Sequence, residues 1–595
     1  MFSCKKGSPE KSKPVVTDSL ISQTPHTKAG INNILLGAYG LLDGVYAGQN
    51  NTPWETGTDN WAFGSVAGGD AFKGGSIDDQ TGFNDFDKMG AAPGNGIYFH
   101  KWDTNITALK SSNAVLKLLP LVNDGSVSAE YKTIVTAEAR FLRGFYEFEL
   151  AKIWRNVPYI DENVASGDYY KVINSGPIWD KIEADFKAAM DALPSTQVAP
   201  GRPNKYAAEA FLVKALMFDH KYADAKPLLS DLINNGVTAN GTKYGLVHYA
   251  DNFNPLAKPN AETVFLIPAV VHNGSDGLDG NAGDIMNFPH GGPADCCAFF
   301  RPSFSFVNAF KTDAVTGLPL LDTYNNADLK NDQAIESTSP FTPATETLDS
   351  RLDWSVGRRG IPYLDWGVMP GMTWTNSGGG EGPYVNIKTV YYQAAQAATS
   401  ETFQGWDANA ATSNGYNAIR FADVLLWAAE VEVETGNLQN AEDYVNRVRL
   451  RAADATGWVH AYADPSNPTG GYTGTPAANY KVGLYGVAGG HPTTGFAAGG
   501  QDYARKAVYF ERMIELGMEG HRFFDLQRWD GLFGGPAGTG YMAAMQNVYR
   551  AHEANVPDIG YAHFIGFTGN KDELYPIPKQ AMDKSGGKLK QNPGY

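Results

Sequence analysis

The sequence has little cysteine, no basic stripe and no long apolar run. Three cysteines occur among 595 residues, at positions 4, 296 and 297, too few for a disulfide framework. No Cys-x-x-Cys pair occurs, which excludes a zinc ribbon and a thioredoxin-type site. Adjacent Cys296 and Cys297 leave two states open, a closed ring or a pair of free thiols. Charged residues make up 19% of the chain and the formal net charge is −16. No window forms the basic stripe that displaces counterions from phosphate, so no nucleic-acid partner is expected. The acidity reads as a solvated surface. No run of about 18 apolar residues exists, so no bilayer-spanning helix is expected. HExxH, Walker A and GxSxG motifs are absent. Gly378-Gly379-Gly380-Glu381-Gly382 lacks the strand-to-helix context of a dinucleotide loop, and His272 and His290 have no ligand spacing between them. No EF-hand pattern supports calcium in the acidic loops. No metal, cofactor or catalytic residue is expected.

What is present is helical periodicity around an irregular middle. Residues 29–47 place Ile31, Ile34, Leu35, Tyr39 and Leu42 on one face. Residues 97–121 and 128–154 read as two long helices joined by the turn signal Asn123-Asp124-Gly125, and 177–193 as a further helix stopped near Pro194. Residues 203–219 with 221–235, and 417–435 with 438–453, each read as helix, tight turn, helix. In both, small residues (Ala208, Ala215 and Ala225; Ala428, Ala429 and Ala441) recur beside large apolar ones, so two antiparallel helices approach closely. The spacing fits tetratricopeptide-like units, with Gly436-Asn437 at the turn. Helix returns at 501–528.

The expected organisation is one compact, mainly α unit: a tether over 1–26, an N-terminal helical scaffold over 27–240, a loop-rich lobe over 241–415, and a C-terminal helical scaffold and tail over 416–595. The first segment is polar and aperiodic. Within it, Met1-Phe2-Ser3-Cys4 resembles the end of a lipobox whose charged and apolar signal regions are missing, which makes Cys4 the candidate lipidated residue. The lobe is rich in Gly, Pro, Asn, Asp and aromatics, and a loop-rich insertion of that length is usually functional.

Two constellations compete as sites. Glu511, Glu515 and Glu519 recur at helical spacing with Asp525 beyond, and a glycosidase needs two such carboxyl groups across a sugar bond. Arg505, Arg512, His521, Arg522 and Arg528 interleave with them, so ion pairing between helices is the expected role. The loops carry Trp54, Trp61, Trp354, Trp366, Trp374 and Trp406, near Asp59, Asp70, Asp353, Asp365 and Asn376. A flat indole stacks on the C–H face of a sugar while short polar side chains bond its hydroxyls. The plain alternative is that many of these rings are core.

Residues 511–529 (ERMIELGMEGHRFFDLQRW) resemble the signature near the end of SusD/RagB-type proteins, surface lipoproteins of Bacteroidetes-like bacteria. Residues 137–145 (AEARFLRGF) with Val157-Pro158, Gly201-Arg202-Pro203, residues 419–426 (IRFADVLL) and 446–449 (NRVR), Tyr575-Pro576-Ile577-Pro578 and the closing 591–595 (QNPGY) match in order along nearly the whole chain. The resemblance implies an α-superhelix of tetratricopeptide-like hairpins with a large loop-rich lobe. It implies lipidation at Cys4, residence at the outer-membrane surface, and a seat on a SusC-like TonB-dependent transporter to which captured oligo- or polysaccharide passes. Proteins of this kind are not enzymes. Residues 61–75, with Gly69 where a Ser-like residue is common, resemble one lip of the family's site, and 351–388 the opposite lip. The candidate glycan-binding residues are therefore Trp54, Trp61, Asp70, Phe72, Tyr363, Asp365, Trp366, Trp374 and Asn376. A peptide cargo, as in the RagB branch, is the alternative; a surface glycosidase and a pure interaction scaffold are further readings.

Overall fold

The structure, a computed structural model, describes residues 24–44, 53–375, 382–405, 407–486, 493–556 and 566–595. Cys4, Asn376, Trp406, residues 45–47 of the first expected helix, 378–381 of the glycine run and most of the expected tether lie outside these.

Among the described residues the helices of eight or more residues are α1 (Lys28–Gly40), α2 (Gly96–Leu118), α3 (Ala129–Trp154), α4 (Trp179–Ala192), α5 (Lys205–Phe218), α6 (Tyr222–Asn235), α7 (Phe421–Glu434), α8 (Leu438–Ala453), α9 (Gln501–Leu516), α10 (Arg522–Trp529) and α11 (Tyr541–Glu553). Their starts follow side-chain capping of otherwise unpaired amides. Asn95 accepts from Ile97 N at 3.0 Å, Ser128 from Tyr131 N at 3.1 Å and Asn204 from Ala207 N at 2.8 Å.

From α1 to α8 each helix packs on the next in the chain, α6 on α7 included, and α9 packs on α7 and α8. The helical stack is thus continuous in space although residues 236–420 interrupt it in sequence. Close approach is possible because Ala208, Ala215, Ala225, Ala429 and Ala441 are fully buried at the helix contacts, and Gly436 makes the α7–α8 turn at φ +83°. This is the tetratricopeptide-like α-superhelix with a loop-rich lobe that the sequence predicts.

The lobe contributes little sheet. The described strands form five two-stranded antiparallel pairs. β1 (Ala71–Gly74) pairs with β3 (Phe299–Pro302), β2 (Thr263–Ile267) with β8 (Tyr416–Arg420), β4 (Val356–Gly357) with β5 (Val385–Asn386), β6 (Ser400–Phe403) with β7 (Asp407–Thr412), and β9 (His460–Tyr462) with β10 (Tyr472–Pro476). β2 enters the helical core through Phe265, whose ring meets Phe141 at 5.1 Å and Phe211 at 5.6 Å.

Two helix boundaries differ from the sequence reading. Residues 417–420 are strand, because they pair with β2 before the chain turns into α7. The single helix expected over 501–528 is broken between α9 and α10. There Gly520 has φ +76°, and a Cβ on it would lie 1.9 Å from the Asp59 carbonyl oxygen. A Cβ on Gly64 would lie 1.9 Å from the Gly520 carbonyl oxygen. Two backbones touch here, and only glycine permits both the approach and the left-handed angle.

A buried ion-pair layer joins lobe and scaffold. Arg351 in the lobe bonds Asp349, Glu511 and Glu515; Arg420, ending β8, bonds Glu262, Glu515 and Glu519; Arg449 and Arg451 on α8 reach Glu511 and Glu515. Arg512 is held by Asp423 and Asp525, and Arg528 by Glu430 and Asp525. The carboxylate stripe read from the sequence is therefore spent on guanidinium groups. Burial alone would raise the Glu515 carboxyl, yet Arg451, Arg420 and Arg351 hold it well below the usual carboxylate range.

Candidate functional site

A second, smaller core lies within the lobe, made of Leu278, Ile285, Phe288, Tyr363, Val385, Tyr391, Phe403 and their neighbours. Half-buried Trp54, Trp354, Trp366, Trp374 and Tyr392 pack around it. Trp366 and Trp374 are linked through Tyr363. The Tyr363 ring meets Trp374 edge-on at 5.2 Å, and its carbonyl accepts from Trp366 N at 3.0 Å.

Trp366 is fixed from three sides. Its Nε1 donates to the Tyr391 carbonyl at 2.7 Å, and its ring meets that of Tyr391 at 6.0 Å. The β9–β10 hairpin straps its turn: Tyr462 and Tyr472, stacked at 5.4 Å, both donate from their hydroxyls to the Leu364 carbonyl, at 2.8 and 2.6 Å. Tyr472 is 41% exposed, so it adds an open ring beside Trp366. Burial, followed by nearby Asp365, pushes the Tyr392 hydroxyl up to about 12, and burial pushes that of Tyr462 up to about 12. Both stay protonated at neutral pH, and the Tyr462 proton is committed to the Leu364 carbonyl. The rim thus offers ring faces, the chemistry that meets the C–H face of a sugar. Tyr392, Tyr462 and Tyr472 are absent from the sequence reading; the signal available for the last was an aromatic flanked by Gly471 and Gly474 in a loop.

Five of the expected site residues are buried instead. Trp61 is 2% exposed, enclosed by Phe83 at 4.9 Å and Phe300 at 5.7 Å, with Nε1 donating to the Trp54 carbonyl at 2.9 Å. Phe72 lies in β1 against Phe304. Pairing of β1 with β3 sets the 61–75 segment against Phe299, Phe300 and Phe304, which is why these rings are core. Asp70 accepts from Ser65 Oγ at 3.0 Å and from Met518 N at 3.1 Å, clamping the α9–α10 turn. Burial pushes its carboxyl up to about 6 against the charge of Arg522. Tyr363 is fully buried and donates to the Asn386 carbonyl. Asp365 accepts from Gln393 N at 2.5 Å and Ala394 N at 3.0 Å, so it braces the rim from beneath. Trp54, Trp366 and Trp374 keep accessible surface.

Three other places lack the make-up of a glycan site. Burial, then the charge of Asp284, pushes Asp59 up to about 8, and burial pushes Asp284 up to about 6. Perturbed carboxyl pairs mark catalytic sites in many enzymes. Here both line a cavity of about 50 Å³, room for water and not for a sugar ring. A cleft of about 600 Å³ opens between α1 and the lobe, walled by Leu36, Pro200, Pro268 and Val270; Tyr39 is its one aromatic, so it lacks a platform of rings. Cys296 and Cys297 are joined as a disulfide. Among the described residues no group of three or more His, Cys, Asp or Glu is placed to hold a metal ion, and no helix is long and apolar enough to cross a membrane.

Residues 261–595 match the SusD family model, and residues 40–216 match a SusD-like model described as starch-binding associating with outer membrane. The chain is 22% identical over 514 residues to SusD-like protein P2 of Formosa agariphila, covering 84% of this chain and 81% of that protein. A SusD superfamily protein from Bacteroides vulgatus superposes with TM-score 0.64 at 19% identity, over 96% of this chain and 100% of that one. Surface glycan-binding protein A from Bacteroides thetaiotaomicron, solved in complex with laminarihexaose, superposes with TM-score 0.59 at 17% identity, over 95% and 99%. The fold and the extent of the sequence match agree: this chain belongs to the SusD family.

Proposed function

We propose that the chain is a cell-surface glycan-binding protein without catalytic activity of its own, which captures oligo- or polysaccharide and passes it to a SusC-like TonB-dependent transporter. The observation that carries the reading is the aromatic rim: Trp366 and Trp374, half-buried and braced through Tyr363, with Tyr392 packed on the same core and the exposed Tyr472 ring tied to the Leu364 carbonyl. Rings held rigid in advance stack on a sugar without a further ordering cost. Trp54 and Asn376 complete the proposed set. Two structural neighbours, one described as a laminarin-binding SusD-like protein and one complexed with laminarihexaose, support a glycan as cargo. The match of residues 40–216 to a family associating with the outer membrane, together with the lipobox-like Met1-Phe2-Ser3-Cys4, supports a lipid anchor at the outer membrane.

Affinity electrophoresis against laminarin, starch and other polysaccharides tests the reading. Retardation by at least one glycan, lost in Trp366→Ala, is the expected result. Retention of the variant equal to wild type, or sustained release of new reducing ends from the retained glycan, would overturn it.

A further inference from the structure

A separate cleft of about 450 Å³ opens on the helical scaffold between α9, the segment leading into α11, and the 321–324 loop. Its walls are aromatic. Half-buried Tyr324 meets Phe510 edge-on at 5.4 Å, and half-buried Tyr541 meets Tyr509 edge-on at 6.0 Å. The Tyr509 hydroxyl, on a residue 4% exposed, has no hydrogen-bond partner among the described residues.

The charges lining this cleft are three cations and two carboxylates, in a chain whose net charge is strongly negative. All but one are spoken for. Lys506 pairs with Asp322 at 2.6 Å, and Arg505 pairs with Asp502 at 2.6 Å and Glu434 at 2.7 Å. The half-buried Arg522 side chain makes no ion pair or hydrogen bond among the described residues; it lies 6.0 Å from the Trp529 ring centroid, and its charge is felt by the buried Asp70 carboxyl and by Tyr324 and Tyr541 without direct pairing. Arg512 and Arg528, in the same sequence motif, are each held by two carboxylates. A half-buried guanidinium left unpaired beside such neighbours is a vacant anion receptor, since its fork of donors matches a carboxylate with two parallel bonds.

We propose that this cleft is a second ligand site, selective for a carboxylate-bearing sugar: a uronate residue whose carboxyl group sits on Arg522 and whose ring lies against Tyr324 and Tyr541. Burial raises both phenol groups, so each remains a neutral donor to sugar oxygens. The site is independent of the rim around Trp366, and one protein could then hold a neutral and an acidic stretch of a glycan at two places.

Isothermal titration of the whole protein with trigalacturonate, its methyl ester and a neutral laminari-oligosaccharide tests this. The acid should bind roughly tenfold or more tightly than the ester, the usual margin for charge-assisted bonds. Arg522→Gln should erase that preference while keeping the melting temperature and neutral-glycan binding. Tyr324→Ala, at a half-buried loop position, should weaken the acid alone and serves if Arg522→Gln fails to fold. Trp366→Ala should leave uronate binding unchanged, so failure at the rim and failure here are separately visible. Equal affinity for acid and ester, unchanged binding in Arg522→Gln, or tighter binding of a peptide through its free C-terminal carboxylate would overturn the proposal.

Discussion

Arg351, from the lobe, donates to Glu515 of α9 at 2.8 Å, and both side chains are fully buried. Glu515 also bonds Arg420 and Arg451, so three guanidinium groups share one carboxylate at the junction of lobe and scaffold, and Asp349, Glu511, Glu262 and Glu519 supply the rest of the countercharge. A buried pair of this sort costs desolvation to form, and removing one partner costs more.

Glu515→Ala should therefore lower stability by about 3–5 kcal/mol, the range for breaking a buried pair. Glu519→Ala, which strips Arg420 and Lys388 of a shared carboxylate, should act in the same direction. Denaturant unfolding measures the loss. In the folded fraction of either variant, glycan affinity should stay near wild type; selective loss of binding with stability intact would show that these carboxylates serve the ligand.

Acid should unfold the protein through the same layer. The folded Glu515, Glu519 and Asp525 carboxyls lie below their usual values: burial opposes this, and the facing arginines, with Lys388 at Glu519, override it. Their stabilisation is present above the unfolded value of about 4 and is lost as pH falls through the depressed folded values. His552 has the opposite sign. Burial would lower it, but hydrogen bonds to Asp328 and Glu553 raise it to about 9. Its contribution is complete below about pH 6.5 and disappears as pH rises through about 9. The difference in melting temperature between wild type and His552→Gln should shrink over that interval; a constant difference would refute the assignment.

Ring removal should separate platform from core. Trp366→Ala and Trp374→Ala should each weaken glycan binding by roughly 1–3 kcal/mol, as for other stacking platforms. Trp374→Ala should cost the less stability, because the Trp366 indole N–H is bonded inside the lobe. Trp61→Ala should instead destabilise by about 3–5 kcal/mol as a buried ring is lost. Titration and thermal unfolding of the three variants side by side check the contrast.

Gly520→Ala should destabilise by more than about 1 kcal/mol, since it combines a left-handed backbone with a contact to the Asp59 carbonyl. Chemical denaturation checks this, and an unchanged midpoint would mean that the two segments can part without cost.

Much of the scaffold was legible locally. Apolar spacing marks α1 to α8, and the alternation of Glu511, Glu515 and Glu519 with arginines marks an ion-pair face. Where helix gave way to strand or turn, at 417–420 and 517–521, the deciding partner was distant: β2 in one case, the Asp59 and Gly64 backbone in the other.

The sequence by itself determined a stack of helical pairs and an aromatic, loop-rich lobe, because helix periodicity, turn signals and small-residue contacts act over a few residues. Which rings face outward was decided only by the tertiary structure. Trp61 and Trp366 sit in equally loop-like sequence, yet antiparallel pairing of β1 with β3 folds the first into the core, while Tyr462 and Tyr472, about a hundred residues further on, hold the turn of the second at the surface. Burial is a property of what the rest of the chain brings alongside, and no local pattern carries it.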